Sequence, residues 1–410
     1  MVVGFMGFWL FSVVVCSSSF CMLSFILLSL MMALIGVGFD VYSLCICVLV
    51  SIILLYLCWL VDSPVQWVMV MLLGVGVFGA LLSDSWFKFF IFYEGVVLPL
   101  FYLVVVGGGY YERVLSVYYL FIYTLIMTTP MFVFILYCVN VGCDMGIVGK
   151  DLSCIGGMFV GGLLLSMVVK VPVWGLHGWL PKVHVEAPTL GSILLAGILI
   201  KLGVWGVYLM ALGGVGGWEW VMLWACMGST VGITVCFMVC DVKSLIAYSS
   251  IVHMGLCLGV IVSGFYGGLL GVFLVLLVHG VVSSGLFYLG GSWGGFYGSR
   301  SVIIVSGGLF MASGIGVLIF VLWSLNMGFP ISGGFVGEVW CLWLLWGFGS
   351  FWFVFILVYV FGCCMFNMYV VLLFGSGSIG GVVSSPVESV LCGVVVFWSF
   401  LCLLCLSVFI

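Results

Sequence analysis

The sequence predicts an all-α polytopic membrane protein, on three observations. The chain of 410 residues is 66% hydrophobic and only 5% charged, whereas soluble domains run near 45–50% apolar and about 25% charged. Its apolar residues come in continuous runs of bilayer-crossing length, about 20 residues each. Those runs do not alternate apolar with polar positions, as the strands of a membrane barrel do. No water-soluble fold hides that much apolar surface, so the solvent is lipid. The 59 glycines agree, because Gly is commoner in membrane helices than in soluble ones.

In chain order the runs give about 14 transmembrane helices. They lie at 4–18, 19–37, 41–60, 66–83, 86–106, 114–139, 154–180, 189–212, 218–240, 244–262, 266–290, 303–346, 350–375 and 389–409. The first two are short and also read as one bent element around Ser17–Ser19. The seventh is interrupted at Val171–Pro172 and the twelfth at "NMGFPISGG", 326–334. Such breaks are tolerated where the freed backbone meets protein, water or polar side chains. Two broken spans five apart in order, helices 7 and 12, fit two inverted five-helix repeats whose breaks mark a transport pathway. The chain then divides into N-terminal helices 1–3 (1–65), a first repeat (66–212), a second repeat (218–375) and a C-terminal helix (389–410). The repeat rests on span order, with no residue-level repeat visible.

The formal charge of −4 carries no basic cluster, which excludes a nucleic-acid partner. Loops after odd-numbered spans hold Arg113, Lys182, Lys243 and Arg300, while Lys150 is balanced by Asp144 and Asp151. The positive-inside rule therefore places the odd loops on the matrix or cytoplasmic side. The opening "MVVGFMGFWLF" has neither a basic n-region nor an Arg-rich amphipathic segment, so it reads as neither a secretory signal nor a transit peptide. Either the first span is itself the insertion signal or the protein is made where it works. Most of the 18 cysteines are scattered through apolar runs, where Cys behaves as a small hydrophobe. The CxxC of Cys402 and Cys405 lacks a second pair or a His to complete a metal site. Gly, Val, Cys, Trp and Phe are abundant, while Gln occurs once and Asn three times. That bias follows G- and T-rich codons, as on some mitochondrial coding strands.

Ionisable residues inside apolar spans cost roughly 2.5–3.5 kcal/mol each on insertion scales, so each invites a functional role. Lys201, in "GSILLAGILIKLGVWGVYLM", lies about 16–18 Å from either end of its span at 1.5 Å per residue. A lysine stem reaches only about 6 Å, so the ammonium must face a polar interior. Its competing role is a static buried ion pair. Glu94 sits about 12 Å into the fifth span by the same rise, with Gly95 and Pro99 following to open the backbone. Lys170 is its obvious partner, and a carboxylate–lysine pair that is made and broken is a proton switch. An interfacial lysine ahead of a proline is the other reading of Lys170. Glu338, after the second break, is expected at the place in the second repeat that Lys170 holds in the first; the alternative is a helix-capping acid. His279 is mid-span beside Ser283 and Ser284, His253 follows "AYSSIV", and His177 and His184 flank the first break. A neutral imidazole donates at one nitrogen and accepts at the other, which suits a proton relay and a structural role equally.

Other patterns carry no chemistry. "GVGVFG", 74–79, lies inside an apolar span with no strand before it, so it is read as helix packing rather than nucleotide binding. Asp84 and Lys88 form an i,i+4 pair that supports a helix start. Asp40, Asp62, Glu112, Glu219 and Glu388 fall near span ends, where they are solvated.

Five stretches in order, "FYEGVVLPLFYLVV…GYYERVLSVYYLFIYT", "KVPVWGLHGWLPKVHVEAPTLGSILLAGILIKLG", "DVKSLIAYSSIVHMG", "HGVVSSGLFY" and "GFPISGGFVGE", resemble the antiporter-like proton-translocating subunits of mitochondrial NADH:ubiquinone oxidoreductase, complex I. The family is shared with multi-subunit cation/proton antiporters, and the similarity runs from about residue 86 to 340. The resemblance implies a fourteen-helix fold with inverted five-helix repeats. It also implies a Glu94–Lys170 pair, a central Lys201, an acidic Glu338 at the helix 12 break, and His253 and His279 in a hydrophilic axis. His177 and His184 would extend that hydrated route. It implies no cofactor on this chain, with NADH, FMN, iron–sulfur clusters and ubiquinone held by other subunits. The implied partners are the neighbouring antiporter-like subunits of the membrane arm, accessory subunits and lipids such as cardiolipin, in the mitochondrial inner membrane. The N-terminus looks truncated against the family pattern. The competing functions are a free-standing Na⁺/H⁺ antiporter subunit, a haem-bearing quinol oxidoreductase subunit, which needs paired in-span histidines at matching depths, and an inert scaffold.

Overall fold

A computed structural model describes residues 41–375 apart from 62, 108–111, 142–145, 148–156, 214–217, 265, 307–312 and 331. The spans expected at 4–18, 19–37 and 389–409 lie outside the described residues. The described chain is helical, and eight helical segments are long and apolar enough to cross a membrane. Shorter apolar helices, including both halves of the twelfth span, accompany them.

The first described helix is α1 (Val41–Leu60), followed by α2 (Pro64–Leu81). Ser63 caps α2 by accepting the Gln66 N–H, and Pro64 occupies a first-turn position whose N–H is not needed. Ser85 caps α3 (Trp86–Gly95) in the same way, and the Asp84–Lys88 pair ahead of it is exposed at 3.5 Å. α3 and α4 (Val97–Gly107) form one span with an interruption at Val96. Pro99 has no N–H to give the carbonyl four residues back, which releases the backbone beside Glu94. The glycines of "GVGVFG" admit that bent span closely: a Cβ on Gly79 would lie 2.6 Å from the Phe92 ring. α5 (Arg113–Val141) contains Pro130, and the Thr129 hydroxyl donates to the Ile126 carbonyl that Pro130 leaves unmatched, at 2.7 Å.

The seventh span is broken into α6 (Gly157–Lys170) and α7 (Trp179–Glu186). Gly175 turns the chain between them at φ +93°, and the Trp179 indole N–H donates back to the Val169 carbonyl at 3.2 Å. The span thus runs on to Glu186, beyond the expected end at 180. Its later charges look loop-like in sequence, but Lys182 lies over the Tyr119 ring and Glu186 faces Arg300. The next span joins α8 (Thr189–Leu194), a π-helical turn (Leu195–Leu199) and α9 (Ile200–Leu212).

The second half has α10 (Glu219–Met238), α11 (Val242–Val262), α12 (Tyr266–Tyr297), the short α13 (Val302–Val305), α14 (Ser313–Asn326), α15 (Gly333–Trp346) and α16 (Phe351–Gly375). The twelfth span is therefore α14 and α15, and α13, expected at its start, is a separate turn. α12 extends past the expected end at 290. The most hydrophobic window of Thr189–Leu212 is 100% buried while that of α16 is 28% buried. Helices α8 to α9 accordingly form the centre, and the rest of the described chain leaves most of the surface of α16 uncovered.

Matching features recur in the two halves. Ser85 bridges Gly146, and Asp241 bridges Ser301, so each half ties the start of its second span to the segment following its third. The fourth span of each half is broken. Lys170 ends the first half-helix in one case and Asn326 in the other, and Asn326 follows Asp241 at the same distance along the chain as Lys170 follows Ser85. The place of Lys170 is thus held by Asn326. Glu338, expected there, instead sits in the second half-helix at the step that His184 holds in α7. The proline and glycine signals locate a break but not which flanking polar residue abuts it.

Candidate functional site

Three polar pairs lie in the apolar interior. In the first, Lys170 Nζ lies 3.0 Å from Glu94 Oε1. The ammonium also donates to the Tyr93 carbonyl at 2.8 Å and sits 3.3 Å from the centroid of the Tyr93 ring. Tyr93 is held in turn by its hydroxyl, which donates to the Ser166 carbonyl at 3.3 Å. Lys170 is fully buried and Glu94 keeps 19% of its side chain exposed. The pair thus has an enclosed cationic end and an accessible anionic one.

The second pair is Lys201 and His279. Lys201 is fully buried, and its Nζ donates to the Ala196 carbonyl at 2.5 Å and lies 3.0 Å from His279 Nδ1. Ala196 belongs to the π-helical turn, a distortion that recurs at functional sites. The lysine thus secures a backbone oxygen in the widened turn. A protonated Lys201 makes Nδ1 of His279 an acceptor, which puts the imidazole proton on Nε2. The His279 ring centroid is 5.4 Å from that of His253.

The third pair is His253 and Glu338, with Nδ1 and Oε1 at 2.9 Å. The Tyr359 hydroxyl reaches the same nitrogen at 3.3 Å. One imidazole nitrogen thus meets both an acid and a phenol. A proton on Nδ1 serves Glu338, and an unprotonated Nδ1 accepts from either oxygen. A small cavity lies between α11, α12, α14 and α15, lined by His253, His279, Asn326 and Glu338 among apolar side chains. Nε2 of both histidines is buried without a hydrogen-bond partner among the described residues.

The remaining two histidines stand apart. His177 lies within the break, not at its edge, where it stacks on Trp174 with centroids 4.4 Å apart and accepts the Gly175 N–H at 3.1 Å. His184 is inside α7, fully buried and stacked on Phe287 at 4.2 Å, with neither ring nitrogen partnered among the described residues. Neither flanks the break as expected. No hydrogen bond joins Lys170 to Lys201; α9 packs instead on the backbone of Lys170 through Gly203, whose Cβ would lie 3.2 Å from the Lys170 carbonyl carbon.

Beyond the span interior, the loop cations converge. Lys243 Nζ donates to the Ala187 carbonyl at 2.8 Å. Arg300 donates to the Val185 carbonyl at 2.6 Å and lies 3.6 Å from Glu186. This gathering of charges from three odd-numbered loops agrees with a common side of the membrane for all three. Sequence reasoning missed Tyr359, Asn326, Asn367 and the π-helical turn. Asparagine rarity was the available signal for two of these, since three Asn in the whole chain make two in apolar helices conspicuous. Among the described residues no group of three or more His, Cys, Asp or Glu is placed to hold a metal ion.

The family model described as NADH:quinone oxidoreductase/Mrp antiporter, TM, matches residues 83–364, which takes in all three pairs. NADH-ubiquinone oxidoreductase chain 4 of Ceratitis capitata is 35% identical over 265 residues, 63% of this chain and 59% of that protein. The chain thus spans about three-fifths of the length of that relative. Chain 4 of Apis mellifera ligustica is 34% identical over 311 residues, covering 74% of this chain and 69% of its own length. A chain of respiratory complex I from Thermus thermophilus superposes with a TM-score of 0.79 at 21% identity, over 90% of this chain and 81% of that one, so the two share a fold. The chain belongs to the NADH:quinone oxidoreductase/Mrp antiporter transmembrane family, among its NADH-ubiquinone oxidoreductase chain 4 members.

Proposed function

We propose that this chain is a proton-translocating membrane-arm subunit of respiratory complex I, in the mitochondrial inner membrane. The observation that carries the reading is the succession of Glu94–Lys170, Lys201–His279 and His253–Glu338 inside a chain only 5% charged. An inert scaffold does not explain buried ammonium groups at two separate spans. Nor does the site fit a haem: the cavity beside His253 and His279 is small, with no room for the macrocycle.

In this mechanism the Glu94–Lys170 contact is the switch. When the carboxylate withdraws, the buried ammonium loses its counter-charge and releases a proton more readily. That proton loads Lys201, whose Nζ passes it to Nδ1 of His279. The His253 imidazole, 5.4 Å away between ring centroids, delivers it to Glu338 through Nδ1. The step from His279 to His253 requires a bridging water, which the polar cavity at His253, His279 and Glu338 is placed to hold, and the step from Lys170 to Lys201 requires water of its own. His177 and His184 extend the hydrated route toward the first break. The blocks 66–212 and 218–375 act as the two half-channels. Redox chemistry on NADH, FMN, iron–sulfur clusters and ubiquinone belongs to other subunits, and the partners are the neighbouring antiporter-like subunits, accessory subunits and cardiolipin.

The test is a native gel of gently solubilised membranes. Co-migration of this chain with NADH dehydrogenase activity is expected. Migration in a smaller complex without that activity refutes the assignment and favours a free-standing cation/proton antiporter, with sodium dependence as the next measurement.

A further inference from the structure

Two of the three asparagines in the chain touch each other. Asn326 is the last residue of α14 and Asn367 lies within α16, and both are buried. Asn367 Nδ2 donates to the Cys363 carbonyl at 2.8 Å, and Asn326 Nδ2 donates to Asn367 Oδ1 at 2.9 Å. These two bonds fix both amide orientations. The Cys363 carbonyl can only accept, so Asn367 must turn its nitrogen there and its oxygen toward Asn326. Asn326 must then turn its nitrogen toward Asn367. Its Oδ1 is left for the cavity that Asn326 lines together with His253, His279 and Glu338.

We infer that the Asn367–Asn326 pair presents a fixed acceptor oxygen to the Glu338 cavity and positions the proton that Glu338 receives. The inference rests on the proposed function and adds a residue to it. Asn326 holds the place that the ammonium of Lys170 holds in the first half. An ammonium there offers donors and a charge, which suit a carboxylate; a carboxamide oxygen offers neutral acceptance, which suits a protonated carboxyl or the water that carries its proton. Gly328 keeps the approach open on the other flank: at φ +74° it needs no side chain, and a Cβ there would come within 3.1 Å of Glu338 Oε2. The other titratable groups around Glu338 are His253 and Cys257 on α11, His279 on α12, Cys341 on α15, and Tyr359, Cys363 and Cys364 on α16. None of them is an obligate acceptor as the Asn326 oxygen is in this network.

The experiment uses whole complex carrying Asn326→Leu, Asn326→Ala or Asn367→Leu in sealed membrane vesicles. It measures protons moved per NADH oxidised across a pH series, with Lys201→Leu in parallel. Losing one hydrogen bond to the transferred proton lowers pumping by roughly three- to tenfold and displaces its pH profile from the parental one. Asn367→Leu, which frees Asn326 to rotate, shifts the profile in the same direction by less. If the Asn326 variants assemble and pump with the parental stoichiometry and profile, the pair is a helix–helix contact only and the inference falls. If neither Asn326 variant assembles, Asn367→Leu decides, and an unshifted profile overturns the inference. Pumping at the parental stoichiometry in Lys201→Leu defeats the proposed function itself, whereas pumping lowered there but unaltered in the asparagine variants defeats only this inference.

Discussion

Lys170→Met is the substitution whose cost the structure defines most closely. It removes a fully buried ammonium that makes three contacts at once: Glu94 Oε1 at 3.0 Å, the Tyr93 carbonyl at 2.8 Å and the Tyr93 ring at 3.3 Å. Removing one partner of a buried pair costs about 3–5 kcal/mol, because the other charge is left uncompensated. Glu94→Gln leaves the ammonium its carbonyl, a charged hydrogen bond of about 1.5–3 kcal/mol, and its aromatic face, about 2 kcal/mol when desolvated. The glutamine variant is therefore expected to be less destabilised than the methionine variant. In the double variant no charge remains unpaired, so its cost falls below the sum of the two. The assay is thermal stability of the solubilised complex, followed through retention of this chain on a native gel, for the parent, both singles and the double. Additive losses, or a Glu94→Gln loss equal to that of Lys170→Met, would refute the view that the ion pair and the Tyr93 cradle jointly hold Lys170.

Three further outcomes follow from the geometry. Lys201→Met leaves the Ala196 carbonyl and His279 Nδ1 without their shared donor, at about 1–3 kcal/mol for each unsatisfied group; protons pumped per NADH, measured with a pH-sensitive dye, are expected to fall while part of the complex still assembles. Gly79→Ala pushes a methyl group into the Phe92 ring and is expected to cost about 1–3 kcal/mol by overpacking, whereas Gly95→Ala, where a Cβ meets nothing within 4 Å, leaves assembled yield unchanged on the same gel. Asp84→Ala removes an exposed 3.5 Å ion pair and is expected to alter stability by no more than about 0.5 kcal/mol, with pumping at the parental rate.

Charges in lipid are conspicuous, which is why Glu94, Lys170, Lys201 and the mid-span His279 were legible from sequence. So, apart from the ends of the seventh, eleventh and twelfth, were the positions of the spans that fall on described residues, because length and hydropathy alone set them. Pairing was less legible: the Lys201–His279 contact joins residues far apart in the chain, and nothing in either segment names the other. The second half of the broken seventh span was hidden because Lys182, His184 and Glu186 resemble loop residues until Tyr119, Phe287 and Arg300 are seen to receive them. Register at the breaks was hidden as well, so that Glu338 was expected where Asn326 lies. The π-helical turn left no mark, since Leu-Ala-Gly-Ile-Leu is equally at home in an α-helix. Buried Lys243 was counted only as a loop cation, because its acceptor, a backbone carbonyl of Ala187, has no residue signature.

That π-helical turn has a consequence for how the protein tolerates change. A π turn takes in one more residue than the α turn it replaces, so removing any one residue of 195–199 would let the span close up as a regular helix. Because the wide turn absorbs its extra residue, the helix beyond it keeps nearly the same facing after such a deletion, and the Lys201 ammonium stays on the side of His279 while losing the widened turn whose carbonyl it holds. A one-residue deletion in the regular helix on either side has no such outlet: every residue beyond it swings by roughly 100° and moves by about 1.5 Å. The span is thus most forgiving of a lost residue at 195–199 and least forgiving between that turn and Lys201.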